Sequence, residues 1–352
     1  MVKNFYKKKK VLVTGATGFK GSWLCLWLNY LGAKVIAIGF SPNRNNKLYY
    51  SLELNKLIQT KILDVRDFKK TESFLKKIKP KIIIHMAAQP IIYDSYIKPY
   101  ETYNINTFGT LNILEISRSL KTLKALVCVT SDKCYQDNLS TTGFKEGDKL
   151  GGEDPYSGSK ASAEIVINTY IKSYFHKKKL GVASARAGNV IGGGDYSKDR
   201  LVPDSINFLN DSKMIYLRNP NFNRPWQHVI EPLYGYLILA KKLFEEPIRY
   251  SGAYNFGSKK NTVTSVEEVV KKIIKYWGSG NYKSNKKKKY YEQKNLQLNI
   301  NKAEKILKWK PKLSIDSTIK ITVSWYKEFL YKNNNMLEFT LKQIKDYMQS
   351  KI

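Results

Sequence analysis

Val13-Thr14-Gly15-Ala16-Thr17-Gly18-Phe19-Lys20-Gly21 constrains the fold more than any other stretch of the chain. Three glycines stand at Gly-x-x-Gly-x-x-Gly spacing, between an apolar run and a helical segment. Glycines let a chain turn sharply out of a strand and approach a pyrophosphate closely, and the helix N-terminus that follows faces the anion. The pattern alone is weak. Strand, loop and helix in that order, within the first thirty residues, make it a dinucleotide-binding signature. Gly15, Thr17, Gly18, Phe19 and Gly21 are the residues it offers to a cofactor.

The same alternation continues. Apolar runs at 11–14, 35–38, 61–63, 82–85, 125–130 and 182–186 are separated by amphipathic helical segments. This predicts a Rossmann-type, doubly wound α/β fold, a parallel sheet with helices on both faces. The runs are apolar nearly throughout, as strands covered on both faces are. Beyond Ala187 the pattern loosens at Gly192-Gly193-Gly194. The expected division is a dinucleotide-binding domain over 1–187, with 228–248 returning to it as a helix near 233–244. Residues 188–352 are expected to form mainly a smaller α/β substrate-binding domain.

Ligands in such sheets bind beyond the carboxyl ends of the strands. An acid at the end of the second strand would hold the adenosine ribose of NAD. The sequence there is Gly39-Phe40-Ser41-Pro42-Asn43-Arg44, without an acid. Ser41 and Arg44 suit a 2′-phosphate or the border of an NAD ribose, so NAD is expected and NADP stays open. Asp64 and Val65, after the third strand, fit an adenine edge. Ala87, Ala88 and Gln89 end the fourth strand, and the small alanines let a cofactor lie against the backbone. His85 reads as a packing residue. No second His or Cys stands at ligand spacing, so no metal is expected.

Tyr156-Ser157-Gly158-Ser159-Lys160 opens a helix after Asp154-Pro155. Tyr156 and Lys160, four apart, share one helix face. A nearby ammonium would favour the phenolate and lower the tyrosine pKa. Such a phenolate takes a proton from a substrate hydroxyl while hydride leaves the same carbon. Thr130-Ser131-Asp132-Lys133-Cys134-Tyr135 ends the fifth strand at the same mouth. Ser131 suits a substrate hydroxyl, Asp132 a general acid and Lys133 a base. Alcohol oxidation needs only tyrosine, lysine and a hydroxyl residue. An added acid and base imply a second step, and elimination of water beside a transient ketone needs such a pair.

Several stretches together resemble the extended short-chain dehydrogenase/reductase family. They are 13–27 (VTGATGFKGSWLCLW), 85–90 (HMAAQP), 130–135 (TSDKCY), 151–164 (GGEDPYSGSKASAE), 183–195 (ASARAGNVIGGGD), 199–204 (DRLVPD) and 218–229, which ends in RPWQHV. The resemblance covers about 11–326. Within the family it is greatest to the 4,6-dehydratases acting on nucleotide sugars, CDP-glucose in particular.

The resemblance implies that Tyr156 deprotonates the glucose 4-hydroxyl as hydride leaves C4. Asp132 protonates the departing C6 hydroxyl while a base removes the C5 proton, and the hydride returns to C6. Lys160 also holds the nicotinamide ribose, and Asn106 orders a helix near the cofactor. Relatives acting on other nucleotide sugars typically carry glutamate where this chain has Lys133. A lysine base must be neutral, which requires burial or neighbouring cations. Alternatively Lys133 stabilises an enolate while water or Tyr156 moves the proton. Asn189, Arg200, Leu201 and Arg224 are candidates for the substrate, since guanidinium forks suit a pyrophosphate. Gln89 and Ser95 are placed near the hexose or nicotinamide, and Trp226 and His228 beneath the site. A homodimer or homotetramer is implied, through helices near 100–119 and 156–174. So is a role in supplying deoxysugars for lipopolysaccharide O-antigen or another surface polysaccharide. A 4-epimerase on this scaffold would share Tyr156, Lys160 and the glycine loop and need neither Asp132 nor Lys133. More distant is a non-catalytic dinucleotide sensor.

The net charge of +32 raises the question of nucleic acid. The lysines are spread along the chain, densest at 286–289, and no nucleic-acid motif is present. A basic field that attracts a small anionic substrate is the milder reading, and no nucleic-acid partner is expected. No uncharged apolar stretch reaches eighteen residues, so no membrane span is expected. The basic start runs into the first strand without a long apolar region. Cys25, Cys128 and Cys134 show no paired spacing, so reduced thiols and a cytoplasmic protein are expected.

Overall fold

The computed structural model describes residues 2–40, 47–137, 143–258, 264–284, 296–332 and 334–350. Seven strands form one parallel sheet: β1 (Lys10–Thr14), β2 (Lys34–Gly39), β3 (Gln59–Ile62), β4 (Ile82–His85), β5 (Ala125–Val129), β6 (Gly181–Ala187) and β7 (Gly252–Phe256). Their spatial order is β7-β6-β5-β4-β1-β2-β3. The order reverses between β1 and β4, and a doubly wound sheet forms its ligand crevice at that point.

The principal helices are α1 (Phe19–Tyr30), α2 (Phe68–Ile78), α3 (Gly109–Ser119), α4 (Pro155–Tyr170), α5 (Leu201–Asn210), α6 (Ile230–Glu245), α7 (Val266–Trp277), α8 (Ile315–Tyr331) and α9 (Met336–Met348). Successive strand residues alternate between two cores. Val11, Val13, Ile82, Ile84, Val127 and Ala183 join one cluster with Leu24 of α1 and Leu237 of α6. Leu12, Ile83, Leu126 and Val182 join the other with Leu75 of α2, Ile113 of α3 and Ile167 of α4. This two-sided burial explains why β4, β5 and β6 are buried along their whole length. The first cluster continues through Val202, Val269, Ile319 and Ile344, so α5, α7, α8 and α9 extend the same apolar mass.

Three strand assignments differ from the sequence pattern. β3 starts at Gln59 instead of residue 61 and stops before Leu63. It is the sheet edge, three of its four residues are exposed, and so it carries no apolar run. β5 ends at Val129, one residue before Thr130, whose N–H still bonds the Ala185 carbonyl at 3.0 Å. β7 was not expected. It comes from the half of the chain where the pattern loosens, and its Gly-Ala-Tyr-Asn-Phe composition hides a strand that pairs with β6. The returning helix is α6, three residues longer at its start than the pattern suggests, and it packs on β5 and β6.

Short two-stranded ribbons build the rim around the crevice: Val190–Ile191 with Gln227–His228, and Asn223–Arg224 with Thr264–Ser265. No helix of the described residues is long and apolar enough to cross a membrane. The three cysteines are buried as free thiols. The 286–289 lysines lie outside the described residues.

Candidate active site

The glycine loop is held by close backbone approach. Gly15 has φ +69°, and a Cβ there would sit 2.8 Å from the Ala87 nitrogen and the Met86 carbonyl oxygen. A Cβ on Gly21 would run into the Gly15 carbonyl. Gly18 differs: a Cβ there would meet nothing nearer than 3.4 Å, the Gly15 oxygen. Gly18 is also the N-cap of α1 and supplies no side-chain cap. The first-turn N–H groups of α1 therefore face an open cradle suited to a phosphate. Phe19 follows at the first helical position, half-buried, and Thr17 packs against Gly39.

Beside this loop, Thr14 latches the ends of β1 and β4. Its hydroxyl accepts from the Met86 and Ala87 amides, each at 3.1 Å, and lies 2.7 Å from His85 Nδ1. With both acceptor positions used, the hydroxyl must donate, so Nδ1 is the unprotonated nitrogen. Nε2–H then donates to Thr110 Oγ1 at 3.2 Å, which donates to the Asn106 carbonyl at 2.7 Å. Burial and the Lys160 charge push His85 down to about 3, so it stays neutral. This histidine is a structural link, as the sequence suggests. No group of three or more His, Cys, Asp or Glu side chains that could hold a metal occurs among the described residues.

Other cofactor candidates turn out to position the site from beneath. Asn106 lies in a π-helical turn (Asn104–Phe108) and spends its whole amide internally. It accepts from the Gln89 amide at 2.9 Å and donates to the Gln89 carbonyl at 3.1 Å and Ser159 Oγ at 2.9 Å. The Gln89 side chain is tied to Ile91 and Thr102, and Ser95 is buried with its hydroxyl on the Ile92 carbonyl. Asp64 clasps Arg66 through three hydrogen bonds of 2.6–2.9 Å. Burial alone would raise its pKa, but the Arg66 bonds outweigh it and hold the carboxyl below its usual value. Val65 is buried against Gly109. Ala87 and Ala88 follow β4, half-buried, at the crevice. Ser41 and Arg44 lie outside the described residues.

The start of α4 is fixed by Asp154. Its carboxylate accepts from the Ser157 amide at 2.9 Å and the Ser157 hydroxyl at 2.6 Å, and Pro155 occupies the first turn. Tyr156 is thereby set against the 3₁₀ turn Asp132–Cys134 that follows β5. The Tyr156 phenol is near enough to Ser131 for the serine hydroxyl to favour its ionised form. Ser131 Oγ donates to Asp132 Oδ1 at 3.0 Å and accepts the Lys133 amide at 3.2 Å. Asp132 Oδ2 is buried without a hydrogen-bond partner and packs so closely on Gly188 that a Cβ there would collide with it.

Burial raises the Asp132 pKa, opposed by Lys133, Ser131 and Arg224. This favours the protonated form that a general acid requires. One expectation is corrected. Burial pushes Tyr156 up to about 12, where the sequence predicts a lowered value. The phenol lies in the protein interior, so desolvation of the phenolate exceeds what Ser131 and Arg200 give back, and Asp132 and Asp154 add to the rise. Lys160 is buried one turn further along α4 and is itself pushed down to about 8, with Glu164 opposing the shift.

Arg200, at the N-cap of α5, pairs with Asp195 at 3.2 Å. Its charge reaches Tyr156, and that of the buried Arg224 reaches Asp132. Leu201 follows Arg200, half-buried, and Asn189 lies half-buried where its carbonyl accepts the Gln227 amide at 3.2 Å. Trp226 and His228 are buried in the rim behind Arg224. Lys133 is half-buried on the turn between Asp132 and Cys134.

Sequence reasoning missed four members of this cluster. Lys20, an unspecified position of the glycine motif, is pushed down to about 7 by burial and by the charges of Lys160 and Arg200. It therefore meets the neutrality requirement for a lysine base. Tyr236 of α6 is fully buried with an unpartnered hydroxyl, and its ionisation is coupled electrostatically to Tyr156 and Asp132. Glu164, one turn beyond Lys160, accepts from Thr130 at 2.5 Å, Ser184 at 2.8 Å and Arg186 at 2.6 Å. Arg186 of β6 also donates to the Tyr135 hydroxyl at 2.7 Å. The spacing 156, 160, 164 on one helix face was the available signal for Glu164.

A glycine cradle at the switch point and a Tyr–Lys pair on the adjoining helix define the class: a dinucleotide-dependent enzyme of the short-chain dehydrogenase/reductase type. The family model described as GDP-mannose 4,6 dehydratase matches residues 12–322, and the chain belongs to that family of nucleotide-sugar dehydratases. The chain is 40% identical to the CDP-glucose 4,6-dehydratase of Salmonella typhimurium, over 99% of this chain and 98% of that protein. It is 27% identical to the human dTDP-D-glucose 4,6-dehydratase over 93% of each. Among solved structures, the dTDP-glucose 4,6-dehydratase of Bacillus anthracis in complex with NAD superposes with TM-score 0.74 at 24% identity, covering 94% of this chain and 99% of that one. The UDP-glucose 4-epimerase of Thermotoga maritima superposes with TM-score 0.78 at 21% identity, covering 91% and 99%.

Proposed function

We propose that the protein is an NAD-dependent CDP-glucose 4,6-dehydratase. It converts CDP-glucose to CDP-4-dehydro-6-deoxyglucose and water. The observation that carries this reading is Asp132, a buried carboxyl with raised pKa and one unpartnered oxygen, bonded to Ser131 and close enough to the oxidising tyrosine for its charge to act on it. A 4-epimerase needs the tyrosine and not the acid. The 40% identity to a CDP-glucose enzyme supports the nucleotide.

The residues divide the work. Gly15, Gly18 and Gly21 with the N-terminus of α1 cradle the pyrophosphate of the dinucleotide, and Lys160 holds its nicotinamide ribose. Held by these residues, the dinucleotide would supply the hydride acceptor and donor for C4 oxidation and C6 reduction. Tyr156 takes the C4 hydroxyl proton, with Ser131 orienting that hydroxyl. Asp132 gives its proton to the departing C6 hydroxyl. A lysine, Lys133 or Lys20, takes the C5 proton that the 4-keto group has acidified. Arg200 and Arg224, with Asn189 and Leu201, bind the CDP portion, bidentate guanidinium contacts being suited to a pyrophosphate.

The protein acts as a cytoplasmic homodimer or homotetramer. Ile97, Tyr100, Tyr103, Phe108, Ile165 and Tyr174 are exposed apolar residues along 97–108 and α4 with the turn after it, which supports pairing through those helices. Its product supplies 6-deoxy or 3,6-dideoxy sugars for a surface polysaccharide.

Incubation of the purified protein with CDP-, dTDP-, UDP- and GDP-glucose tests the reading. CDP-glucose should yield the 4-keto sugar, detected by its alkali-induced absorbance. CDP-galactose without keto product would overturn the dehydratase assignment. Asp132→Asn should retain C4 oxidation, seen as cofactor reduction, and lose water elimination by roughly 10²–10⁴-fold. Equal loss of both steps would remove Asp132 from its role.

A further inference from the structure

Lysine is common over the whole chain, yet one end of the sheet holds far more than its share. Strands β6, β5, β4, β1 and β2 lie side by side and parallel, so their amino ends form one edge. The chain enters them through residues 177–179, 121–124, 79–81, 7–10 and 32–34. Twelve of those seventeen residues are lysine and none is acidic, where lysine and arginine make up 61 of 352 overall. Backbone hydrogen bonds set the lysines in a row. The Lys34 amide bonds the Lys9 carbonyl at 2.8 Å, the Lys81 amide the Lys10 carbonyl at 3.0 Å, and the Lys124 amide the Lys81 carbonyl at 2.9 Å. Gly181, two residues after Lys179, bonds the Lys124 carbonyl at 3.1 Å. Adjacent strands stand about 4.8 Å apart, so Lys34, Lys10, Lys81, Lys124 and Lys179 span about 19 Å.

All five are exposed. Lys10 bonds the Ile78 carbonyl at 3.1 Å, and among the described residues none of the five pairs with a carboxylate. Glu245 and Glu246 close α6 at this same end, where Leu243 packs on Gly181, and they are engaged by Lys241 and Arg249. Like charges side by side on a sheet repel, so the row adds nothing to local stability. The negative ends of helices favour cations in their last turn, which accounts for Lys76 and Lys77 of α2 but not for a lysine at each strand entrance. Nor does the row serve the crevice, which lies at the carboxyl ends of the strands. The length of β1 alone puts Lys10 about 13 Å from Thr14 and the glycine loop.

We propose that this end of the sheet is a docking face for an anionic phospholipid surface, which it meets with the catalytic crevice turned away. A negatively charged leaflet attracts clustered lysines within a Debye length of its plane. A straight row of strand ends offers its charges at one level, as a flat partner requires. Each member of the row is a lysine, a mobile point charge without the fixed fork of arginine, and so is matched to headgroups that move laterally. Ile248 stands beside Arg249 just before β7, at the same end, and is 53% exposed. An apolar tip among cations suits a headgroup layer, which takes up both, better than the phosphates of a polynucleotide.

Flotation of the full chain with vesicles of phosphatidylcholine and phosphatidylglycerol at physiological salt tests the face. Wild type should float with these vesicles and not with phosphatidylcholine alone, and its partitioning should fall as salt rises. Lys34→Gln, Lys81→Gln, Lys124→Gln and Lys179→Gln combined should lower partitioning by about 100-fold or more, since each lysine at an anionic leaflet contributes about fivefold. Lys69, Lys275, Lys283 and Lys320 are exposed elsewhere, and their joint replacement by Gln controls for net charge. That control should lose less than about tenfold. Equal losses in the two variants, full binding by the row variant, or equal flotation with neutral vesicles would overturn the proposal. So would row-dependent binding of single-stranded DNA that displaces the vesicles, which would give the face to a polynucleotide. If the fourfold variant does not fold, Lys81→Gln with Lys124→Gln should still cost about 25-fold, judged against Lys69→Gln with Lys320→Gln.

Discussion

Glu164→Gln is the substitution whose effect the structure fixes most tightly. The Glu164 carboxylate and the Arg186 guanidinium are 2% and 4% exposed and meet at 2.6 Å. Glutamine has nearly the same volume. Its oxygen can face Arg186 and Ser184, and its amide can face Thr130, whose hydroxyl can turn to accept. Most hydrogen bonds survive, and the loss is the negative charge opposite a buried guanidinium. Removing one member of a buried pair costs about 3–5 kcal/mol. At roughly 2 °C per kcal/mol for a chain of this size, the apparent Tm should fall by about 6–10 °C.

A second consequence reaches the site. Lys160 titrates near 8 because burial opposes its charge, while Glu164 holds it up. Its folded pKa lies below the ordinary lysine value of 10.5, so charging it in the native state opposes folding. That penalty is full below about pH 8 and fades as pH rises towards 10.5. In Glu164→Gln the lower edge of this window should move further down, and the alkaline decline of C4 oxidation should move with it. Thermal and urea unfolding at matched scan rate and concentration give the first readout, since two-state behaviour is not assured at this length. A pH profile of single-turnover cofactor reduction gives the second. Adding Arg186→Met to Glu164→Gln should recover part of the lost stability. A Tm change below about 2 °C, or strict additivity of the two substitutions, would refute the reasoning.

Tyr156→Phe should lower turnover by about 10²–10⁴-fold while leaving CDP-glucose affinity within a few-fold of wild type by calorimetry. Lys20→Met should abolish an ionisation near pH 7 in the kcat profile, because Lys20 is charged below about 7 and neutral above it. Persistence of that limb would place the ionisation elsewhere. Gly21→Ala should destabilise the protein by about 1–3 kcal/mol and impair dinucleotide retention, since its Cβ meets the Gly15 carbonyl. Gly18→Ala, whose Cβ would make only an ordinary contact with the Gly15 oxygen at 3.4 Å, should leave unfolding of the cofactor-free protein nearly unchanged and weaken dinucleotide binding alone.

The sheet was readable where both strand faces are buried, because Ile82–Ile84 and the 125–129 run are apolar without interruption. It was displaced in β3 and unreadable in β7. β3 is a polar edge strand, and β7 carries Asn255, whose amide is buried on the Phe144 and Asn299 carbonyls. Tertiary hydrogen bonding there replaces the hydrophobicity that a sequence pattern can register. At the site, sequence spacing offered Ser131, Asp132, Tyr156 and Lys160 as one group and the fold brings them together, because strand-end and helix-face positions follow from local periodicity. It gave no sign that Gln89, Ser95 and Asn106 are bonded internally, since the partners a polar side chain finds depend on contacts across the fold. It missed Lys20 and Tyr236 for the same reason: α1 and α6 are distant in sequence and meet only on the folded sheet.

Burial raises the pKa of both Asp132 and Tyr156, yet the two shifts have opposite value for catalysis. A raised carboxyl is a better proton donor near neutral pH, so exclusion of water makes Asp132 into an acid without further help. A raised phenol is a poorer base, so the same exclusion works against Tyr156. The fold cannot expose the tyrosine without exposing the acid beside it. What remains is positive charge, and Lys20, Lys160 and Arg200 are gathered around this mouth. Burial first, and then the Lys160 and Arg200 charges, lower Lys20 to about 7, which favours its neutral amine. Burial beside these cations thus accounts for a carboxyl shifted towards its protonated form, a phenol that needs cationic help to ionise, and a lysine shifted towards its neutral form.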